Sequence, residues 1–263
     1  MSLTLGSGPF GANGGTFNFA PPSHVLYWEA WPRRMRAVFG GATVLDSRRG
    51  RLLHETGQMP RHYFPRDDLV QELLVPATGD TPVGQTPRWS VRVGDRLPEN
   101  CVSGSPTGPD GAEILPGHVT VEFPAMDRWF EEDEPIYAHP RDPYHRVDVR
   151  AASRRVVVRH QGRVVATSER PKLLFETGLP IRYYLPFADI RIDLLTKSAT
   201  ISECPYKGDG QHWHLRGDDG KTAVEDVAWS LPHPLPEGLA ALEHVCFYPD
   251  KIELEVDGQR VTT

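Results

Sequence analysis

The chain has 263 residues, of which 39% are hydrophobic and 24% are charged, as in an ordinary globular protein. Its formal net charge of −6 argues against nucleic acid or an anionic membrane as the main partner, since neither offers complementary charge. No apolar run approaches the length of a membrane-spanning helix. Three dispersed cysteines, Cys101, Cys204 and Cys246, favour a reducing cytoplasm over a disulfide framework or a structural zinc site.

The predicted elements, in chain order, begin with a Gly-rich leader over 1–24, which we expect to be flexible or to form a surface arm. Alternating apolar runs around turn dipeptides then predict three β-hairpins, at 35–46, 155–167 and 252–261. Further strands are predicted at 119–123 and 244–248, and only 67–74, its counterpart and 235–242 look helical. The chain is therefore predicted to be mainly β, with few short helices.

One segment of the sequence occurs twice. Residues 41–74 align with residues 162–195 at an offset of 121 without a gap, giving 15 identities in 34 columns. Self-similarity at so long a period predicts two copies of one domain rather than a solenoid of short repeats. We place the first repeat at 25–127, a connector at 128–150 and the second repeat at 151–263.

The two copies differ in their reactive side chains. The second carries the string Cys-Pro-Tyr-Lys-Gly over 204–208, whereas the first has Asp80 and Val83 in place of the cysteine and the lysine. Ser103 of the first copy also stands where the second has Trp229. Because scaffold residues are kept and reactive residues are not, the second copy is the better candidate for chemistry.

Cys204 and Lys207 are the candidate catalytic residues, because a neighbouring ammonium group favours the reactive thiolate. The alternative is that Cys204 is a buried structural cysteine and Lys207 a solvated lysine. Five further residues are candidates for the lining of a small-molecule pocket. They are an aromatic wall of Trp213 and Trp229 and the polar contacts Glu176, Arg182 and Tyr184.

The first copy weakens the assignment of these residues to a pocket, because it repeats the three polar residues at 55, 61 and 63 and keeps a tryptophan at 89. A structural role for the trio and for Trp213 therefore stays open. His212 and His214 would lie on one face of a strand and could bind a metal, but the spacing offers no third ligand. We expect neither a metal nor a cofactor.

Several strings of the second copy together resemble the bacterial and fungal family called domain of unknown function 427. They are Cys-Pro-Tyr-Lys-Gly at 204–208, Asp-Val-Ala-Trp-Ser at 226–230 and Phe-Tyr-Pro-Asp at 247–250. The resemblance covers roughly 25–258 and implies compact β-rich domains similar to the Mss4-like, or β-tent, fold without its zinc cysteines. A nucleotidyltransferase-like label goes with the family, although this chain has no phosphate-cradling or metal-binding carboxylate motif.

Tandem members of that family usually carry the Cys-Pro-x-Lys-Gly string in both copies, so the resemblance implies a degenerate site in the first copy here. Two classes of function remain open. One is a small-molecule enzyme of unsettled reaction type, with specialised metabolism as one setting. The other is a non-catalytic ligand-binding or scaffold protein with a vestigial pocket. Either would be cytoplasmic with a small molecule as partner, and the sequence leaves the oligomeric state open.

Overall fold

Short strands dominate the computed structural model, which describes residues 3–77, 86–108 and 111–262. The chain divides into two compact units with the boundary between Pro140 and Arg141. The strands of the first unit are β1 (Leu26–Ala30), β2 (Met35–Phe39), β3 (Ala42–Ser47), β4 (Arg51–Glu55), β5 (Arg61–Pro65), β6 (Leu74–Pro76), β7 (Arg88–Val91), β8 (Val102–Gly104), β9 (His118–Val121), β10 (Arg128–Glu131) and β11 (Glu134–Ile136).

The second unit contains a matching set of strands. They are β12 (Val147–Ala151), β13 (Val156–His160), β14 (Arg163–Ser168), β15 (Lys172–Glu176), β16 (Arg182–Pro186), β17 (Leu195–Ser202), β18 (Gly208–Arg216), β19 (Thr222–Pro234), β20 (His244–Phe247), β21 (Glu253–Val256) and β22 (Gln259–Arg260). The helical segments are short 3₁₀ turns at Arg66–Asp68, Gln71–Leu73, Phe123–Ala125, Phe187–Asp189, Ile192–Leu194 and Pro236–Ala241.

The two units have the same topology. Each has a seven-stranded antiparallel sheet, in the order β1-β4-β5-β9-β8-β7-β6 and β12-β15-β16-β20-β19-β18-β17, and a four-stranded sheet built around β2-β3 or β13-β14. The registers agree as well, since Leu26 pairs with Glu55 as Val147 pairs with Glu176. The predictions of a mainly β fold and of two tandem domains are confirmed.

The main core of the second repeat lies between its two sheets. Val158 and Leu254 from the small sheet pack with Leu173, Leu185 and Val245 from the large one. Side chains alternate across a strand, so the neighbours of these residues project from the opposite, outer face of the large sheet. That outer face carries a second, smaller apolar cluster, and the candidate site is built on it.

A side-chain motif repeated in both units explains three of the residues that the duplication preserves. Ser168 donates to Asp189 at 2.7 Å, and Arg170 donates to the same carboxylate at 2.9 Å. Ser47 and Arg49 hold Asp68 in the same way in the first repeat. The motif ties the strand hairpin to the following 3₁₀ turn, so we assign it to the scaffold.

One predicted segment differs in the structure. The connector expected over 128–150 begins as the β10–β11 hairpin, whose strand β10 pairs with β2 in the small sheet of the first repeat. In the leader, residues 3–14 form hydrogen-bonded turns, and the carbonyl of Thr4 accepts the N–H of Gly57 at 2.9 Å. The expectation of a flexible leader or a surface arm stays a prediction. Within the part of the chain that the structure describes, none of the helical segments could span a membrane.

Candidate functional site

The candidate site lies on the outer face of the large sheet of the second repeat. Leu174, Tyr184 and Cys246 project from three adjacent strands of that face and are all fully buried. Each is the chain neighbour of a main-core residue, which is what strand alternation requires. This apolar base supports a group of polar side chains at its edge.

Glu176, at the end of β15, is the centre of that polar group. Nε2 of His145 donates to one of its carboxylate oxygens at 3.0 Å, and Nζ of Lys207 donates to the other. The side chains of His145 and Glu176 are only 2% and 4% exposed, while that of Lys207 is 18% exposed. The antiparallel register of β12 and β15 brings His145 to Glu176, although 31 residues separate them.

The two partners set the charge state of Glu176. Burial alone would raise the pKa of this carboxyl, but the hydrogen bond from His145 and the positive charge of Lys207 outweigh it and hold the pKa below its ordinary value. Glu176 is therefore a carboxylate at neutral pH. A buried carboxylate is costly unless it is paired and hydrogen-bonded, and here both of its oxygens have a donor.

The Cys-Pro-Tyr-Lys-Gly string forms the tight turn that presents Lys207. The N–H of Gly208 donates to the carbonyl of Cys204 at 3.0 Å, and Gly208 has a φ of 93°. A Cβ at Gly208 would lie 2.7 Å from the carbonyl oxygen of His233, so glycine is required. Gly238 likewise lets the backbone of Lys207 approach closely, because its own Cβ would lie 2.7 Å from the Lys207 carbonyl oxygen.

Cys204 is half-buried and packs against the apolar cluster. Within the described residues, no hydrogen bond or ion pair joins its sulfur to Lys207, whose ammonium group is instead paired with Glu176. The pairing of Lys207 with Glu176 was not expected, and the role of Lys207 as cationic partner of the thiol or proton donor stays a prediction. Cys246, by contrast, is 1% exposed, and burial raises the pKa of its thiol to about 12.

Tyr206 connects the turn to His145. Its ring centroid lies 3.9 Å from that of His145, and its hydroxyl accepts the backbone N–H of Asp142. The guanidinium of Arg141 lies over the Tyr206 ring, 5.2 Å from its centroid, and is paired with Glu237. Burial raises the pKa of Tyr206, so its hydroxyl stays protonated.

Trp229 lies on the same outer face. Its Nε1 donates to the hydroxyl of Tyr184 at 2.9 Å, and its ring centroid lies 4.3 Å from that of Tyr248. The guanidinium of Arg182 lies 5.5 Å from the Trp229 ring centroid. Trp229, Tyr184 and Arg182, which the sequence singled out, are therefore neighbours, and Tyr248 joins them.

Trp213 lies apart from this group. It pairs across the sheet with Ala228, whereas Trp229 pairs with His212, so the two tryptophans project from opposite faces. Trp213 packs against the main core, where its Nε1 donates to Ser230 at 2.9 Å. The structure thus does not bring the two tryptophans together into one wall.

The histidines of β18 have hydrogen-bonding roles. Nε2 of His212 lies 3.1 Å from the hydroxyl of Ser202, and Nδ1 of His214 accepts the backbone N–H of Asp226 at 3.0 Å. Among the described residues, no three His, Cys, Asp or Glu side chains form a group that could hold a metal. Asp80 and Val83, the first-repeat counterparts of Cys204 and Lys207, lie outside the described residues.

His145 was missed at the sequence level, although the duplication contains a signal for it. At the same offset of 121, His145 corresponds to His24 and Glu176 to Glu55. His24 lies 3.3 Å from Glu55 in the first repeat, so the pair itself is duplicated. In the first repeat, however, these two side chains are 53% and 36% exposed. What distinguishes the second repeat is the burial of the pair together with Lys207.

Comparison with known families agrees with this duplication. The family model described as "Domain of unknown function (DUF427)" matches residues 27–132 and 148–258. The chain belongs to the DUF427 family. Each match covers one structural repeat, so both repeats are DUF427 domains. No curated protein matches the chain.

Proposed function

We propose that the second DUF427 repeat is a small-molecule enzyme domain whose reacting groups are Lys207 and Cys204, held in place by Glu176 and His145. The observation that carries the proposal is the buried Glu176 carboxylate with a partly exposed lysine attached to it. Desolvating an ion pair of this kind costs several kcal/mol, and apolar residues of similar size would stabilise a scaffold at least as well.

The ammonium group of Lys207 supports the choice of ligand. It has three N–H donors, of which Glu176 takes one. The remaining donors suit an oxygen atom of a substrate, in a carbonyl, carboxylate or phosphate group. The Trp229–Tyr248 pair on the same sheet face offers an aromatic surface for the apolar part of such a molecule.

Cys204 acts either as a nucleophile or as a polar anchor for the ligand. Its rate of alkylation distinguishes these two roles. Iodoacetamide is added to the folded protein near pH 7, and each cysteine is followed by peptide mass spectrometry. We expect Cys204 to react faster than the buried Cys101 and Cys246, because both are at most 3% exposed and burial raises both of their pKa values.

Two charge variants then test whether the Glu176–Lys207 network acts on the thiol. Lys207→Met removes a positive charge and should slow Cys204 alkylation about threefold to tenfold, whereas Glu176→Gln should accelerate it by a similar factor. Glu55→Gln, the equivalent change in the first repeat, is the matched control and should leave the rate unchanged. Equal rates in all variants would exclude a network that activates Cys204.

A non-catalytic ligand-binding protein is the second candidate. It is favoured because the charge of Lys207 is already neutralised by Glu176. Native mass spectrometry of the purified chain distinguishes the two functions. A small molecule that is retained unchanged, equally by wild type and by Cys204→Ser, would support binding alone. A retained molecule that wild type converts and Cys204→Ser does not would support the enzyme.

A further inference from the structure

A cleft of about 430 Å³ opens in the second repeat, away from the Glu176–Lys207 site. It lies where the β13–β14 turn approaches the β18–β19 turn. Val165, Leu194 and Leu215 line its floor and belong to the main core between the two sheets. The Cys204 site is built on the outer face of the large sheet, so the two sites are separate.

The first repeat fills the corresponding space. The shared strand register makes Val93 the counterpart of Gly217. Val93 packs closely on the β2–β3 turn, since a Cβ at Gly40 would lie 2.8 Å from the valine Cγ1. Arg96 closes the same region, with its guanidinium 4.1 Å from the Phe39 ring centroid. Replacement of this valine by glycine leaves the second repeat with a cleft.

The charges at the rim indicate what the cleft would accept. Arg163 is paired with Asp218, while the carboxylate of Asp219 accepts the backbone N–H of Lys221 at 3.0 Å and keeps its negative charge. Arg216 is exposed and has no ion-pair partner within the described part of the chain. The two arginines and two aspartates of the lining balance in charge, so selectivity for a carboxylate rests on the free N–H donors of Arg216, which can form two parallel hydrogen bonds beside the apolar floor.

We propose that this cleft is a binding site for a small carboxylate with an apolar body, with the carboxylate on Arg216 and the apolar body on the Leu194–Leu215 floor. The cleft volume falls within the range of small-molecule pockets, about 300–1,000 Å³. The site is independent of the function proposed for Cys204 and Lys207, since it shares no residue with them.

Hexanoate and hexanamide are suitable probes, because they share an apolar body and differ in charge. Saturation-transfer NMR with a concentration series measures their affinities for the full chain. We expect hexanoate to bind about tenfold more tightly than hexanamide, as a charge-assisted hydrogen bond predicts. Arg216→Gln should remove that difference, while Arg260→Gln, an exposed change outside the cleft, should preserve it.

Gly217→Val introduces the first-repeat residue and should abolish binding of both probes. The nearest atom to a Cβ at Gly217 is an Asp219 carboxylate oxygen at 3.1 Å, and this exposed side chain can move aside. Circular dichroism checks that the variant is folded; if it is not, the Arg216→Gln comparison alone decides. Equal affinities of wild type for the two probes, absence of binding, or unchanged binding by folded Gly217→Val would each overturn the proposal.

Discussion

Removal of the Lys207 ammonium is the sharpest test of the buried network, because it leaves the Glu176 carboxylate with one partner. Breaking a buried ion pair from one side costs about 3–5 kcal/mol. Lys207 is 18% exposed and His145 still donates to the carboxylate, so water and one hydrogen bond compensate in part. We therefore expect Lys207→Met to lower the free energy of unfolding by about 2–3 kcal/mol at pH 7.

The pH dependence of that cost has a defined sign. In wild type the pKa of Glu176 is lowered in the folded state, so the carboxylate contributes stability above its unfolded pKa, and this stability is lost as pH falls through the folded pKa. Without Lys207, less opposes the effect of burial, so the pKa of Glu176 rises. The carboxylate is then protonated at a higher pH than in wild type. The destabilisation by Lys207→Met should therefore shrink on acidification towards about pH 4.

Urea unfolding of the full chain at pH 7 and near pH 4 measures this difference. Glu176→Gln combined with Lys207→Met provides the control, since removing both charges should restore part of the stability lost in the single variant. Glu55→Gln in the first repeat should change the free energy of unfolding by less than about 0.5 kcal/mol, as an exposed side chain does. A Lys207→Met cost that is the same at both pH values would refute the reasoning.

Three further predictions concern single side chains, each measured by urea or thermal unfolding. Tyr184→Phe should lower the free energy of unfolding by about 1 kcal/mol, because it leaves the partly buried Trp229 N–H without its acceptor. The equivalent Tyr63→Phe should lower it by less, since a serine stands in place of that indole. Gly208→Ala should lower the free energy of unfolding by more than about 2 kcal/mol. Gly258→Ala should lower it by about 1 kcal/mol, because Gly258 also has a positive φ but no atom lies within 4 Å of its Cβ. Burial lowers the pKa of His62 to about 3, so the free energy of unfolding should fall as pH drops from about 6.5 towards that value. His62→Phe should make this fall less steep, and an unchanged dependence on pH would contradict the prediction.

The sequence was sufficient for the fold because its signals are local. The Gly40-Gly41 dipeptide between two apolar runs predicted a hairpin, and β2 and β3 form it. The duplication then predicted the second domain without any knowledge of the sheets. The contact of the leader with the rest of the repeat was not predictable in this way, since the hydrogen bond between Thr4 and Gly57 joins residues that are far apart in the chain.

The candidate site was predictable only in part, because its contacts depend on strand register. The comparison of the two copies singled out Lys207, and Glu176 was a candidate polar contact that both copies share, but nothing in the spacing paired two residues that lie 31 positions apart. Trp213 and Trp229 were assigned to one wall because both are large aromatics near Cys204. Register shifts between β18 and β19 instead determine which face each occupies, and such bulges leave no clear sequence signal.

The glycine contact beneath Lys207 has an evolutionary consequence. The Lys207 turn depends on two glycines that lie 30 positions apart, since a Cβ at Gly208 or at Gly238 would lie 2.7 Å from a backbone carbonyl oxygen. The Cys-Pro-Tyr-Lys-Gly string is therefore not sufficient for the turn, because the second glycine lies outside it. Selection that keeps Lys207 in place must keep Gly238 as well, so the two distant positions are constrained together.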